Sequence, residues 1–568
     1  MSARSVKGRS ALIDSEIPLI GKRRHGGSLR IALCYPNSYF VGMSNLGFHT
    51  IYRLLAASPE VDCERVFASE GRDAPSAAPT SIESGKHLRR FDIVAFSVSF
   101  EEDYVGLARM LHRAGIPLRP AQRGPRDPLI VVGGAAAFLN PEPIAPFADV
   151  VAVGEGEALV DRLLESLLGA SEPRRGLDEL RESDGFYVPS RHCIQHDREG
   201  RIAGRDGPER VVRQRARLDV ETLSESAFLT PNTELSMKYL VEISRGCPCL
   251  CRFCWAGYGY LPVRSNPRGR IVERARAVRA CTDKIGLVAT AVCDHEEIEG
   301  LVDDLGGLNY EVAVSSLRFD DLTSDLVFRL SETGARGLTL APECGTDRLR
   351  RVVNKHFTNR EILERSERIF ERGIANLKLY FMVGLPTEED GDLDAIADLV
   401  QAIHARMLSV GRSHGRIGRL QVSINPFIPK PGTPFQWLPV EEPQEIERKL
   451  RRLRRALMRQ PNARIQIKSA RSIQAQAMLA LGDRRVAEAI ELAATRETSL
   501  SRALRAVGLD ARLSLARGRA RDEALPWDVL DNGVDKDFLW RELQRALEAR
   551  LSPRCPKSAN CARCGVCR

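Results

Sequence analysis

No stretch of the chain approaches the roughly 18 uninterrupted apolar residues that a membrane-spanning helix needs, so no such helix is expected. The first ten residues, Met-Ser-Ala-Arg-Ser-Val-Lys-Gly-Arg-Ser, are basic but have no apolar run behind them, so the pattern of a secretory signal is missing. The expectation is a cytoplasmic, reducing location without membrane association. Internal repeats and low-complexity tracts are also missing, which excludes a solenoid. No Gly-x-Gly-x-x-Gly follows the first strand candidate, as dinucleotide binding would require. Neither sign of charge dominates: 84 Lys and Arg stand against 75 Asp and Glu, a net +9 that favours an anionic partner only weakly.

A chain of 568 residues exceeds one ordinary domain. Residues 1–27 read as a polar tail. Over 28–168, apolar runs of strand length (Ile31 to Tyr35, Ile93 to Ser97, Leu129 to Val132, Val150 to Val153) alternate with amphipathic helical stretches. This is the pattern of a parallel sheet with helices on both faces, with ligands expected at the Gly-bearing carboxyl ends of its strands. Residues 169–235 break into short charged pieces and read as a connecting segment. A second alternating array over 236–440 has six strand candidates, at Leu240, Ile285, Glu311, Gly337, Leu377 and Leu420, which suits a partial barrel. Residues 441–550 read as helical with Arg-rich faces, such as Lys449-Leu-Arg-Arg-Leu-Arg-Arg-Ala-Leu, and 551–568 form a Cys-rich tail. The fold class is α/β throughout.

Eight of the fourteen cysteines fall in two short clusters, 247–254 and 555–567, and clustering argues for metal rather than disulfides. In Ile-Ser-Arg-Gly-Cys-Pro-Cys-Leu-Cys-Arg-Phe-Cys (243–254), Cys247, Cys251 and Cys254 are spaced to hold three irons of a cubane and leave the fourth open. An ordinary electron-transfer cluster uses four cysteines, so three call for an outside ligand. The competing reading is a zinc site recruiting Cys249, or reduced surface thiols. Position favours the cluster, because these thiols follow the first strand of the second array, at the edge where barrels keep their chemistry.

Ser-Arg-Gly-Cys-x3-Cys-x-Phe-Cys resembles the radical SAM signature. The resemblance implies a 4Fe–4S cluster on the three thiolates, S-adenosylmethionine (SAM) on the open iron, and one-electron cleavage to a 5′-deoxyadenosyl radical. It also implies a low-potential donor such as flavodoxin or ferredoxin. It points to Phe253 in the loop and to Glu343, in Ala-Pro-Glu-Cys-Gly-Thr-Asp, toward the ribose or methionine part of SAM. The alternative for Glu343 is a salt-bridged loop residue. Gly384 and Pro386, in Met-Val-Gly-Leu-Pro-Thr-Glu-Glu, take the adenine side, where a side chain at Gly384 would block close backbone approach. Asn425 opens a stiff Pro-rich wall, Asn-Pro-Phe-Ile-Pro-Lys-Pro. The chain departs from the family after the second barrel strand, where Ala291-Val-Cys-Asp-His-Glu-Glu replaces the usual Gly-Gly-Glu-Pro-like turn. Asp294 there either accepts from the SAM ammonium or caps a helix.

Residues 28–168 resemble the cobalamin-binding, Rossmann-like domain that precedes the barrel in one large radical SAM class. Val131-Val-Gly-Gly-Ala and Asn140-Pro-Glu-Pro-Ile-Ala-Pro-Phe-Ala-Asp-Val-Val-Ala-Val-Gly-Glu-Gly-Glu carry that resemblance. It implies cobalamin contacts from Asn37, Tyr39, Gly42 and Met43 in the first loop, from Ser97, Ser99, Gly133 and Gly134, and from Gly154 and Glu155. The Asp-x-His-x-x-Gly motif that supplies a histidine to cobalt elsewhere is missing, so no lower-face histidine is expected; His49 reads as structural.

Cys555, Cys561, Cys564 and Cys567 offer a second metal site, either zinc or iron–sulfur; the alternatives are a redox-active or capping tail that reaches the active site, and an unliganded terminus. The leading expectation for the whole chain is cobalamin-dependent methyl transfer to a small molecule, peptide or RNA. The alternatives are a cobalamin-dependent radical rearrangement or cyclisation, and an RNA-binding or iron–sulfur sensing protein without catalysis, whose Arg-rich helix would contact phosphate.

Overall fold

The computed structural model describes the chain except residues 1–7, 22–25, 69–77, 219–222, 316, 459, 511–514, 559 and 568. It divides into two compact units. The first comprises Met1–Tyr239, Met478–Ala511 and Asp522–Gly533; the second comprises Leu240–Ala477, Arg512–Arg521 and Val534–Arg568.

The first unit is built on a six-stranded sheet: β1 (Leu29–Tyr35), β2 (Val61–Phe67), β3 (Ile93–Ser97), β4 (Leu129–Gly133), β5 (Val150–Ala152) and β6 (Phe186–Tyr187), in the order 2-1-3-4-5-6. All pairs are parallel except β5 with β6. The central strands are buried on both faces, which is why they read as continuous apolar runs. Strand order reverses between β1 and β3, so the crevice at their carboxyl ends is the ligand position for this architecture. Helices α1 (Leu46–Ala57), α2 (Asp103–Arg113) and α3 (Val160–Gly169) connect the strands.

The stretch read as a connecting segment belongs to this unit. It supplies β6 and an antiparallel hairpin, Cys193–His196 with Ile202–Asp206. The Asn140-Pro-Glu-Pro string serves to anchor a late segment of the chain. Asn140 Nδ2 donates to the carbonyls of Ala480 and Gly482 (3.1 and 2.8 Å), and the fully buried Glu142 accepts from Tyr187 and Arg484.

The second unit is a partial barrel. β7 (Tyr239–Arg245), β8 (Lys284–Ala289) and β9 (Glu311–Val314) form one sheet with a short antiparallel flank at Arg264–Ser265. β10 (Gly337–Glu343), β11 (Asn376–Val383), β12 (Leu420–Pro426) and β13 (Ala463–Ile467) form the other, and a parallel bridge from Leu317 to Leu340 joins the two. All six expected strands are present. The seventh, β13, lies inside the segment read as helical, because Ala-Arg-Ile-Gln-Ile is only five residues of alternation between Arg-rich helices. It pairs in parallel with β12, Leu420 opposite Ala463.

Burial alternates strictly along β11 and β12. Leu377, Leu379, Phe381, Val383, Leu420, Val422 and Ile424 are buried toward the helix layer, while Lys378, Tyr380, Met382, Gln421, Ser423 and Asn425 are half-buried on the other face. The outer layer includes α4 (Arg268–Val278), α5 (Ile298–Gly307), α6 (Ser324–Glu332), α7 (Asn359–Glu371), α8 (Asp390–Ser413) and α9 (Pro443–Leu457). The inner face is therefore polar, unlike a filled barrel core.

Candidate active site

Gly246 turns the chain out of β7 with φ +91°, and a Cβ there would meet the Tyr260 carbonyl at 2.7 Å. The loop that follows is held by side chains from distant parts of the second unit. Asn354 Nδ2 donates to the Cys249 carbonyl (3.0 Å), and the Tyr258 hydroxyl donates to that of Leu250 (3.0 Å). Arg252 is completely buried and uses all three nitrogens. Nε and Nη2 donate to Glu542 (3.2 and 3.1 Å), Nη1 donates to the carbonyls of Arg351 and Val352, and Nη2 also reaches the Arg550 carbonyl and Ser552 Oγ.

Cations stand against the thiols. Arg318 Nη1 lies 3.4 Å from Cys247 Sγ and 3.1 Å from Asp294 Oδ2, and Arg318 also pairs with Asp320 and Asp321. The Cys249 thiol donates to Cys247 and, with Arg318 beside it, draws the Cys247 thiol down to about 6 against the effect of burial. Burial pushes Cys254 up to about 11 and raises Cys251 too, while Lys355 works the other way on Cys251. Thiols that burial keeps protonated ionise when a metal takes the proton's place.

The donor set suits a cluster better than a single zinc. Thiolates around one zinc, at about 2.3 Å each, lie roughly 4 Å apart. Among the described residues, the one Cys/His/Asp/Glu set with all ligand atoms within 4.8 Å is Cys249, Asp320 and Asp321, and both of its carboxylates are already paired with Arg318 and Arg554. Cys247, Cys251 and Cys254 do not form such a set among the described residues.

Asp294 sits in a short 3₁₀ turn, Val292–Asp294, with its carboxylate on Arg318. Helix α5 begins later, so Asp294 does not cap it. Glu343 ends β10 at φ +65°, where the strand's register with β11 shifts, and its carboxylate is 3.2 Å from Lys355 Nζ. Glu343 and Lys355 are near enough for their charges to act on Cys254 and Cys251 respectively. Asn425 is opposite Met382 on the polar inner face, and Phe253 and Pro386 are half-buried.

Gly384 is constrained by the protein's own packing. Its φ of +83° is needed, but a Cβ would meet Ile446 at 2.6 Å and Glu441 at 2.9 Å, and its N–H already donates to Glu388. The close approach is to the protein itself.

In the first unit, four of the expected residues, Asn37, Ser97, Ser99 and Gly133, lie at the switch point with Asn45 and Asp103. Asn37 Nδ2 donates to Asp103 Oδ1 (3.0 Å), Asn45 Nδ2 donates to Ser99 Oγ (2.9 Å), and Ser97 is paired with Gly133 at the ends of β3 and β4. Asp103 Oδ2 is buried without a partner, and burial raises its carboxyl to about 6. Phe100, next to them in sequence, is 56% exposed, which is unusual for so large an apolar side chain. A Cβ on Gly133 would make only ordinary contact with Ala152, so packing does not demand that glycine.

Other expected contact residues have packing partners within the unit. Tyr39 donates its hydroxyl to Glu16 (2.5 Å), Gly42 lies against Phe67, and Met43 is buried. Gly134 and Gly154 bring backbone against Val98 and Gln214, and Glu155 Oε2 accepts from the Ala216 amide (2.9 Å). His49 uses both ring nitrogens, on the Met43 carbonyl and the Ala227 amide, and burial lowers it to about 4. Arg252, Arg318, Asn354 and Lys355 were not among the expected site residues; Arg252 lies inside the triad run but its partners are remote in sequence, and the other three carry no spacing relation to the triad.

Three basic residues of the Arg-rich helix α9 are paired within its own unit. Arg448 pairs with Asp390 and Glu445, Arg452 with Asp390 and Asp394, and Lys449 with Glu388 and Glu441. No described helix is long and apolar enough to cross a membrane.

Residues 47–189 match the profile of the N-terminal region of radical SAM proteins, and residues 241–400 match that of the radical SAM superfamily. An uncharacterized protein of Methanocaldococcus jannaschii is 28% identical over 478 residues, spanning 84% of this chain and 93% of its own length. A tRNA-2-methylthio-N(6)-dimethylallyladenosine synthase of Cereibacter sphaeroides is 26% identical, over 45% of this chain and 56% of its own. Among solved structures, the radical SAM methyltransferase TsrM of Kitasatospora setae, with cobalamin and a [4Fe-4S] cluster bound, aligns at TM-score 0.44. The alignment has 12% identity and covers 72% of this chain and 74% of that one. The cobalamin-dependent SAM radical enzyme OxsB aligns at 0.42 with 14% identity, over 66% and 52%. With the superfamily match on the residues that build the triad loop and its barrel, the chain belongs to the radical SAM superfamily.

Proposed function

We propose that the protein is a cobalamin-dependent radical SAM methyltransferase. The observation that carries the radical half is the three-cysteine loop at the end of β7, with Cys247 buried and Cys251 and Cys254 half-buried, Arg318 against Cys247 and the charge of Lys355 acting on Cys251. Cys247, Cys251 and Cys254 would hold the 4Fe–4S cluster, which, with SAM on its open iron, supplies one-electron cleavage of the sulfonium. Arg318 and Lys355 offset the negative charge of the thiolates, and burial of the loop keeps water away. Glu343 and Asp294 are the carboxylates available to the cationic end of SAM, each already held in place by a cation of the chain.

The cobalamin half is supported by the neutral, hydrogen-bonding edge of the first unit. Asn37, Ser97, Ser99 and the Gly133 backbone would receive the amides and nucleotide tail, with Phe100 as an apolar surface for the corrin and Asp103 Oδ2 as an unfilled acceptor. No ring nitrogen of His49 is left for cobalt.

The test is anaerobic reconstitution followed by SAM and a low-potential reductant. Formation of 5′-deoxyadenosine and S-adenosylhomocysteine is expected, and the absence of both would refute the reading. A corrinoid absorption spectrum in protein from cobalamin-supplied cells tests the first unit separately.

A further inference from the structure

The C-terminal tail is docked in the second unit rather than free. Arg554 pairs with Asp320 and Asp321, Lys557 Nζ donates to the Asp294 carbonyl (3.0 Å), and the Ser552 amide donates to Asn354 Oδ1 (2.8 Å). Most directly, the Cys555 amide donates to the Pro248 carbonyl at 2.7 Å, and Pro248 is the residue after Cys247. The tail then folds on itself. Arg563 bonds the carbonyls of Pro553 and Arg554, and the Cys564 carbonyl accepts from the Asp535 amide at the start of the helix Lys536–Leu547. Cys564 is buried, and Cys555 and Cys561 are near enough for their charges to act on it. None of the fourteen cysteines is in a disulfide. Among the described residues, no three of the four tail sulfurs come within 4.8 Å of one another, whereas a tetrahedral zinc site would need all four roughly 4 Å apart.

We propose that Cys555, Cys561, Cys564 and Cys567 hold a second, all-cysteine iron–sulfur cluster adjacent to the triad loop. It rests on the reading of the triad as a cluster site only for its role, not for its existence. With every iron held by cysteine, such a cluster has no open position and serves electron transfer. It takes one electron from an external low-potential donor and gives one to the neighbouring site. The Cys555–Pro248 hydrogen bond makes the path between them short.

The test is iron and sulfide content, with electron paramagnetic resonance after reduction, on full-length protein reconstituted anaerobically. Wild type is expected to hold about eight iron, and the Cys247→Ala/Cys251→Ala/Cys254→Ala variant about four, with a reduced-cluster signal that SAM does not alter. A variant carrying Cys561→Ser and Cys564→Ser should keep about four whose signal SAM does alter. Should either variant not fold, the wild-type spectrum still decides: two cluster signals, one insensitive to SAM, support the proposal. A wild type with only about four iron whose signal SAM alters, or with one zinc bound to the tail, overturns it; about four iron whose signal SAM does not alter would refute the reading of the triad instead. Eight iron without SAM cleavage would refute the function proposed above and leave the second cluster standing.

Discussion

The two candidate sites solve opposite electrostatic problems. Around the triad, the contacts are ionic and buried: Arg318 on Cys247 and Asp294, Lys355 on Glu343, Arg252 on Glu542. At the switch point of the first unit, they are mainly amides and hydroxyls, Asn37, Asn45, Ser97 and Ser99, around the carboxyl of Asp103. Thiolates and a cluster bring negative charge into a dry place, so cations must be fixed there in advance. A neutral, amide-bearing ligand asks only for donors and acceptors, and each charge left at its site is a cost.

The sharpest break in this contrast is Cys251→Ala. It should abolish iron binding by the triad and 5′-deoxyadenosine formation together, read by iron content and product chromatography. Iron content unchanged from wild type would show that Cys251 is not a ligand. Next is Arg252→Met, which leaves the buried Glu542 with only the Ser552 hydroxyl and Arg545 at 4.0 Å, and should cost about 3 kcal/mol in denaturant unfolding. Adding Glu542→Leu should recover part of that loss, and no recovery would mean that the carbonyl contacts of Arg252 matter more than its ion pair.

Asp103→Asn tests the neutral edge. The carboxyl is raised from 3.8 to about 6 mainly by burial, so the folded protein holds its proton more tightly than the unfolded chain. Its penalty is missing below about pH 4, grows as pH rises to about 6, and is fully present above, where Asn should stabilise by about 2 kcal/mol. His49 has the opposite sign. Its lowered value makes stability rise with pH from about 4 to 6.5, so this slope should steepen in the Asp103→Asn variant. A variant whose pH profile parallels that of wild type would show that Asp103 is not protonated in the fold. The smallest effect belongs to Arg448→Ala on the exposed face of α9, where melting temperature and nucleic-acid retention should match wild type. A lost, salt-sensitive affinity for RNA would instead restore phosphate contact as a function of that helix.

Much of the fold was legible because it is written in local periodicity. Parallel strands buried on both faces show as apolar runs, and all six expected barrel strands are present. β13 escaped because five alternating residues between amphipathic helices carry too little pattern, and its identity as a strand comes from its pairing with β12. The glycines divide similarly. Gly384 and Gly154 stand where a ligand was expected, but what approaches them closely is the protein's own chain, a distinction that spacing along a sequence does not contain.

The sequence by itself determined the triad, because x3 and x2 spacings on one loop fix where three thiols can reach. It also determined the alternating α/β plan and the four tail cysteines. Only the tertiary structure decided what surrounds them. Arg318 comes from 71 residues away, Glu542 meets Arg252 across 290, and Arg554 reaches Asp320 across 234. Such partners are chosen by the order in which strands assemble and by which edge their loops leave. That order is set by packing of whole elements, and no short stretch of residues encodes it.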